Sequence, residues 1–472
     1  MLDAFGEYLI KISDFLCGYP LFFLLIGGGL YLFIRSGAVS VRRLPHALRA
    51  LRQKNTDDST SGEISSASAL VSVVAATVGL GNIAGVAIAL VMGGPGAIFW
   101  MWVSAMVGMA TKFHEGALAI MYKGTDKDGS PKGGMMYVIE KGLGPKWRPL
   151  AVFFAFAGLF GTLCIINANQ LTEGIISTFA TPESLSDSSS LGAIASTLGL
   201  SSVSVLKIII GLGIALLVAL VVLRGVKRIA QVSSVLVPFM VGVYFLMVVY
   251  IILTNLHALP HAIASIFTEA FNLRAGFGAF AGIAIIGARR AALVNDAGIG
   301  TASIMHGASK NNKPVKEGLV AMLGPAIDSG FVCTLTAIAL LLCGDFSNIN
   351  EVKGLEVAMK AFDSAIPGGA YLLMILACIF ALSSMFSYSY YGTSCAAYLF
   401  GTKRAKWYTY AYILSLVVFA VVPVEAAVGM CDLFYAFMAI PTMITLIALS
   451  GRVRKVTRTF FKSESLRNDK NV

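Results

Sequence analysis

Charge is what this chain has least of. Asp, Glu, Lys and Arg make up 13% of its 472 residues, while hydrophobic residues make up 57%. Soluble domains carry roughly 25% charged residues, so a mainly water-exposed surface is excluded. Catalytic signatures are also missing: the sequence contains no HExxH, no GxSxG and no Walker motif. Without a nucleotide site, any pumping has to be driven by an ion gradient, and an enzyme is not expected. The seven cysteines, Cys17, Cys164, Cys333, Cys343, Cys378, Cys395 and Cys431, are scattered singly with no CxxC or His/Cys pairing. That pattern excludes a zinc or redox site and reads as small core hydrophobes.

What is present is a series of apolar runs, each long enough to cross about 30 Å of hydrocarbon. They fall near residues 17–36, 65–91, 95–121, 150–180, 204–223, 230–253, 276–292, 317–343, 370–394, 408–423 and 427–450. The expectation is an all-α polytopic membrane protein of about 11 transmembrane helices. The first run is long and lacks a small-residue cleavage site, so it reads as a retained peripheral helix rather than a signal peptide.

The net charge of +11 invites a nucleic-acid reading, but the cations sort by side. Segments assigned to the inside carry 31 of the 36 Lys and Arg: 35–54, 112–148, 224–228, 289–316, 403–406 and 452–470. By the positive-inside rule the N-terminus is outside and the C-terminus cytoplasmic. The basic surplus is therefore a topology signal, and no nucleic-acid partner is expected. The partner surface is the lipid bilayer.

Ala75-Ala76-Thr77-Val78-Gly79-Leu80-Gly81-Asn82-Ile83-Ala84-Gly85 sets three glycines and an Asn inside one of these runs. Glycine weakens a helix by about 1 kcal/mol relative to alanine, and backbone freed inside a bilayer must face a protected cavity. The pattern predicts a helix broken halfway across. A second glycine-rich stretch, Ala275-Gly276-Phe277-Gly278-Ala279-Phe280-Ala281-Gly282, opens the second set of five spans. Interrupted helices at corresponding places point to an inverted-repeat transporter; close packing of helices through small residues is the alternative. The units would be 1–64 (peripheral helix and basic linker), 65–253 and 254–451 (two five-helix repeats) and 452–472 (basic tail). Asn295-Asp296-Ala297-Gly298-Ile299-Gly300-Thr301-Ala302, through His306 and Lys310, is expected on the cytoplasmic surface. Residues 350–366 are expected to form an amphipathic helix capping the outer entrance.

Such a cavity suits a small zwitterion and a cation. Amides around Gly79, Leu80 and Gly81 can hold a carboxylate at the positive end of the following half-helix. Carbonyls of Ala75 and Val78 with the hydroxyls of Ser383 and Ser384 can hold sodium, although serines in membrane helices also bond back to their own backbone. In the third core helix, Asn167, Asn169 and Gln170 either join helices or line the cavity. Among membrane carboxylates, which are expensive and usually functional, the candidates are Glu115, Glu173, Asp328 and Asp432; an interfacial ion pair explains Glu115 more simply.

With these residues assembled, the chain resembles the alanine/glycine:cation symporter family, also called sodium:alanine symporters. The resemblance runs from about Ser65 to Gly451. It rests on Ala75 to Val86, on Gly93-Gly94-Pro95-Gly96-Ala97-Ile98-Phe99-Trp100-Met101-Trp102, on Gly108 to Phe113, on Gly318 to Gly324 and on Cys333 to Ala337. It implies a LeuT-type 5+5 inverted-repeat fold with one extra N-terminal helix, in a bacterial inner membrane. The implied activity is sodium-coupled import of a small neutral amino acid by alternating access. Thr77, Gly79, Leu80, Gly81, Asn167, Gln170, Phe280 and Tyr388 would meet the substrate, and Ala75, Val78, Ser383 and Ser384 the sodium ion. Proton coupling or a passive facilitator on the same scaffold is the alternative. Departures cluster at the expected cavity: Leu80 where the family has Thr, Asn167 where it has Gln, and Tyr388 where it has Trp. They point to a neutral amino acid larger or more polar than alanine or glycine.

Overall fold

A computed structural model describes residues 19–52, 62–125, 131–180, 192, 195–197, 199–271, 277–344 and 354–468. Among the described residues the regular structure is helical, apart from a two-residue ladder that pairs Gly124 with Lys132 and an isolated parallel bridge between Ile64 and Ser309. Within the described residues, each of the eleven apolar windows falls on a helix or on two successive helices. They are α1 (Tyr19–Arg35), α2 (Ser66–Thr77) with α3 (Gly81–Gly93), α4 (Gly96–Met121), α5 (Arg148–Gly161) with α6 (Ile165–Phe179), α7 (Ser202–Val222) and α8 (Val226–Thr254). A shorter helix α9 (Leu259–Ala270) precedes α10 (Phe277–Val294) and α11 (Thr301–Gly307). Then follow α12 (Pro314–Cys343), α13 (Gly354–Ala365), α14 (Gly369–Phe400), α15 (Thr402–Val421) and α16 (Val424–Asn468). Among the described residues, seven helices are long and apolar enough to span a membrane, or eight if α2 and α3 make one bent span.

Local chemistry sets the ends that matter. The Ser65 side chain caps α2 by accepting from the Ser68 amide at 3.0 Å. The Ser201 side chain does the same for α7 through Ser204. The strand-like residues before α2 and after α11 lie side by side, with Glu63 N–H donating to Ala308 O at 2.8 Å and Lys310 N–H to Ile64 O at 2.7 Å. The start of α2 and the end of α11 are thereby tied together.

Glycines let two helices pack closely against α4. A methyl group added at Gly287 of α10 would stand 2.1 Å from the Ala97 carbonyl oxygen, and one added at Gly116 would stand 2.6 Å from Cβ of Ala321 in α12. These contacts lock α4, α10 and α12 into one block.

The second break differs from the expectation. Helix α10 runs unbroken from Phe277 to Val294, including Gly278 and Gly282, and the helix instead stops over residues 295–300. Gly276 lies outside the described residues. Gly298 and Gly300 adopt φ of 89° and 93° there, the left-handed region that ends a helix at low cost for glycine. The stretch from Asn295 to His306 is also buried, not on a surface: Asn295, Asp296, Thr301 and His306 are each 2% exposed or less. The basic residues downstream made this stretch look cytoplasmic, whereas Lys112 is fully buried and Arg290 lines an internal cavity.

Candidate functional site

The first break begins where Val78 turns to an extended conformation, φ −75° and ψ 92°. Helix resumes in a wide π-type turn at Gly81, and α2 and α3 meet at 57°. Asn82 braces the bend. Its Oδ1 accepts from the Gly79 amide at 2.9 Å, while its Nδ2 donates to the buried carboxylate of Asp328 in α12. The Gly79 amide is therefore occupied within the protein. Leu80 and Gly81 open the first turn of α3, where helical amides have no partner in their own helix.

The second break abuts the first. A methyl group added at Gly81 or at Gly85 would touch Cγ2 of Val294, the last residue of α10, at 3.5 Å. Beyond Val294, the Gly298 amide donates to Oε1 of Glu115 at 2.7 Å, and the Ala297 amide donates to Oδ1 of Asn295 at 3.0 Å. Glu115, on α4, is fully buried rather than interfacial and pins this loop.

Helix α14 closes the third side. The Ser383 and Ser384 hydroxyls both donate toward the Ala75 carbonyl, at 3.1 and 3.2 Å, and both also reach Phe380 O, at 2.9 and 3.2 Å. The ion-site reading and the backbone-bonding reading thus describe the same two hydroxyls. One turn on, the Tyr388 hydroxyl donates to Oδ2 of Asp296, and the Tyr435 hydroxyl of α16 donates to Tyr388 at 2.6 Å. Gly79, Ser384, Tyr388, Asp296, Val294 and Gly81 form a ring around one space.

That space is a cavity of about 860 Å³. Thr77, Gly79, Gly81, Asn167, Gln170, Ser384 and Tyr388 line it, as do Asp296, Arg290, Asp432 and Tyr435. Ala75, Val78, Leu80 and Ser383 are buried behind the wall rather than on it. The Phe280 side chain lies outside the described residues. The amide cluster divides its work, since Asn169 is fully buried and donates to the Phe419 and Val422 carbonyls, joining α6 to the end of α15. Helix α13 lines the cavity through Gly354, Leu355, Glu356 and Met359, and its Gly354 packs so closely that an added methyl group would stand 2.3 Å from the Ala84 carbonyl oxygen; residues 350–353 of the helix expected there lie outside the described residues.

Asp296 is the residue that sequence reasoning missed. Its signal was present, because an acid beside Gly298 and Gly300 repeats the glycine punctuation of the first break. Arg290 and Tyr435 carry no comparable local mark.

Apolar helices interrupted at two adjoining breaks, around a cavity lined by both apolar and polar side chains, define a membrane transporter built on discontinuous helices. The chain belongs to the sodium:alanine symporter family, whose model matches residues 3–472. It is 38% identical over 461 residues to the sodium/alanine symporter AgcS of Methanococcus maripaludis, covering 97% of each chain. To the amino-acid carrier protein AlsT of Bacillus subtilis it is 34% identical over 470 residues, covering 98% of this chain and 93% of the other. Among solved structures, MhsT in complex with L-phenylalanine superposes with a TM-score of 0.51 at 15% identity, covering 84% of this chain and 89% of that one. That likeness shows a LeuT-type fold. The chain is a transporter, not an enzyme.

Proposed function

We propose that this protein is a sodium-coupled symporter that imports a small neutral amino acid by alternating access. In this reading, residues 65–253 and 254–451 are the two inverted five-helix repeats, 1–64 is peripheral and 452–472 is a cytoplasmic basic tail. Breaks at residues 78–80 and 295–300, each opening one half, support the repeat.

One observation carries the coupling. Ala75 O, Ser383 Oγ and Ser384 Oγ converge directly behind Gly79, and a methyl group on Gly79 would stand 2.9 Å from Ser384 Oγ. Neutral oxygens suit a hard monovalent cation, with the Val78 carbonyl as a further ligand. An ion held there fixes the segment that opens α3, so ion and substrate each favour the other's binding. The substrate carboxylate meets the Gly81 amide at the opening of α3, with Leu80 buried behind it, while Asn167 and Gln170 face its side chain. A cavity of about 860 Å³ with two amides in its wall favours a substrate larger or more polar than alanine.

Counterflow in proteoliposomes with sodium varied tests this reading. Uptake should require sodium, and Ser384→Ala, which removes one neutral ligand worth about 1–1.5 kcal/mol, should raise the half-saturating sodium concentration about tenfold. Unchanged sodium dependence in that variant would show the ion site to be misplaced. Competition by a panel of amino acids addresses the pocket; strict preference for glycine or alanine would count against the larger substrate.

A further inference from the structure

We propose that Asp296 is the counter-ion for the α-ammonium group of the transported amino acid. The inference rests on the reading above, which places the substrate carboxylate at the first break but leaves the opposite charge unassigned.

Four observations converge on this residue. Asp296 lines the cavity at the second break, across from Gly81, whose α-carbon faces Val294 two residues earlier in the chain. Its backbone is left-handed, φ 52°, one of three such non-glycine residues among those described. Among residues with a Cβ, Asp reaches that conformation at comparatively low cost, and here its neighbours hold the turn that carries it. The holding is visible. Gly298 is pinned by Glu115, and Oδ2 of Asp296 accepts from the Tyr388 hydroxyl and, at 3.5 Å, from Thr301. Both hydrogen bonds go to Oδ2, so Oδ1 is the acceptor left for whatever enters the cavity.

The local charge is not balanced within the protein. Lys112 attracts both Glu115 and Asp296 through space, yet its Nζ makes no hydrogen bond and is sealed from solvent. Asp328 feels the same lysine, so one buried lysine faces three buried carboxylates. Asp296 also follows the C-terminal end of α10, where the helix dipole is negative, whereas Gly81 opens α3, where it is positive. A zwitterion laid across the ring therefore meets opposite fields at its two ends. An ammonium accepts this arrangement; a hydroxyl or an acylated amine at the same carbon does not.

Purified full-length transporter in nanodiscs tests the proposal with the best-competing neutral amino acid as radioligand. In the wild type, the α-hydroxy analogue and the N-acetyl analogue of that amino acid should each compete at least about 30-fold more weakly, the factor expected when a buried charge loses its partner. Asp296→Asn should weaken amino-acid binding by a similar factor and abolish most of the discrimination, while sodium-22 binding without amino acid stays unchanged. Near-equal competition by the α-hydroxy analogue in the wild type overturns the proposal, whether or not the variant folds. So does Asp296→Asn binding within threefold of wild type. Loss of sodium-22 binding in the variant without amino acid would make Asp296 an ion ligand instead, which also overturns it. If the wild type binds no amino acid, the functional reading fails first; if it binds and the analogues compete equally, only this inference fails.

Discussion

At residue scale, the two glycines that flank Leu80 do different jobs, and their neighbours predict the difference. A methyl group at Gly79 would press on Ser384 Oγ at 2.9 Å, while one at Gly81 would make an ordinary contact with Val294 at 3.5 Å. Gly79→Ala should therefore raise the half-saturating sodium concentration on the order of tenfold, equivalent to about 1.4 kcal/mol. Gly81→Ala should act on amino-acid affinity and, at saturating amino acid, leave sodium dependence nearly unchanged. Sodium titrations of uptake in the two variants check the contrast; equal shifts would refute it. Tyr388 is a second residue whose role the structure redirects. The added hydroxyl looked like a new contact for substrate, but it is spent on Asp296. Tyr388→Phe should weaken amino-acid binding about tenfold, as expected for a hydrogen bond to a charged group, with sodium-22 binding intact.

At the scale of elements, the second break depends on α4. Glu115 is fully buried and accepts the Gly298 amide at 2.7 Å, with its other oxygen unpartnered. Removing the acceptor leaves a buried amide unpaired, at a cost of about 1–3 kcal/mol, so Glu115→Ala should lower both thermal stability and amino-acid affinity. Glu115→Gln keeps an oxygen acceptor in the same place and should recover most of the affinity. Amino-acid binding by the two variants, compared with their melting temperatures, separates positioning from bulk stability: recovered stability without recovered binding would contradict the role. The first break was legible because its glycines interrupt an apolar run; the second was misplaced because Gly276, Gly278 and Gly282 lie in a longer apolar run and drew attention from Gly298 and Gly300. Glycine inside a membrane helix has two uses, close packing and unwinding. Gly287, against the Ala97 carbonyl, shows the first, and Gly298 the second. Spacing alone does not distinguish them, since only the neighbouring helix shows whether a side chain would clash or the backbone needs positive φ.

At the scale of the whole molecule, the proposed sidedness rests on charge placement and the proposed alternating access on the ring of three elements. A single cysteine placed at exposed Lys403, in a background freed of native cysteines, should react with an impermeant thiol reagent only from the cytoplasmic side. One at exposed Tyr371, at the other end of α14, should react only from outside. Reversed labelling would invert the assigned orientation. The positive-inside argument survives the loss of Lys112 and Arg290 from the surface, because most of the remaining cations still lie in the connections assigned to the cytoplasm.

Composition and local pattern were sufficient for the environment, the helical class, the first break and the family. Those properties follow from hydrophobicity and glycine, which act on neighbouring residues along the chain. Only tertiary structure decided which polar groups meet. Asp296 sits 14 residues after Gly282 and 92 before Tyr388, and nothing local relates it to Gly81. Its partnership with Tyr388, the occupation of the Gly79 amide by Asn82, and the burial of Glu115 beneath Gly298 all arise when α4, α10, α12 and α14 pack together. Buried polar groups must find partners across that packing, and the partner's position in sequence places no constraint on the match.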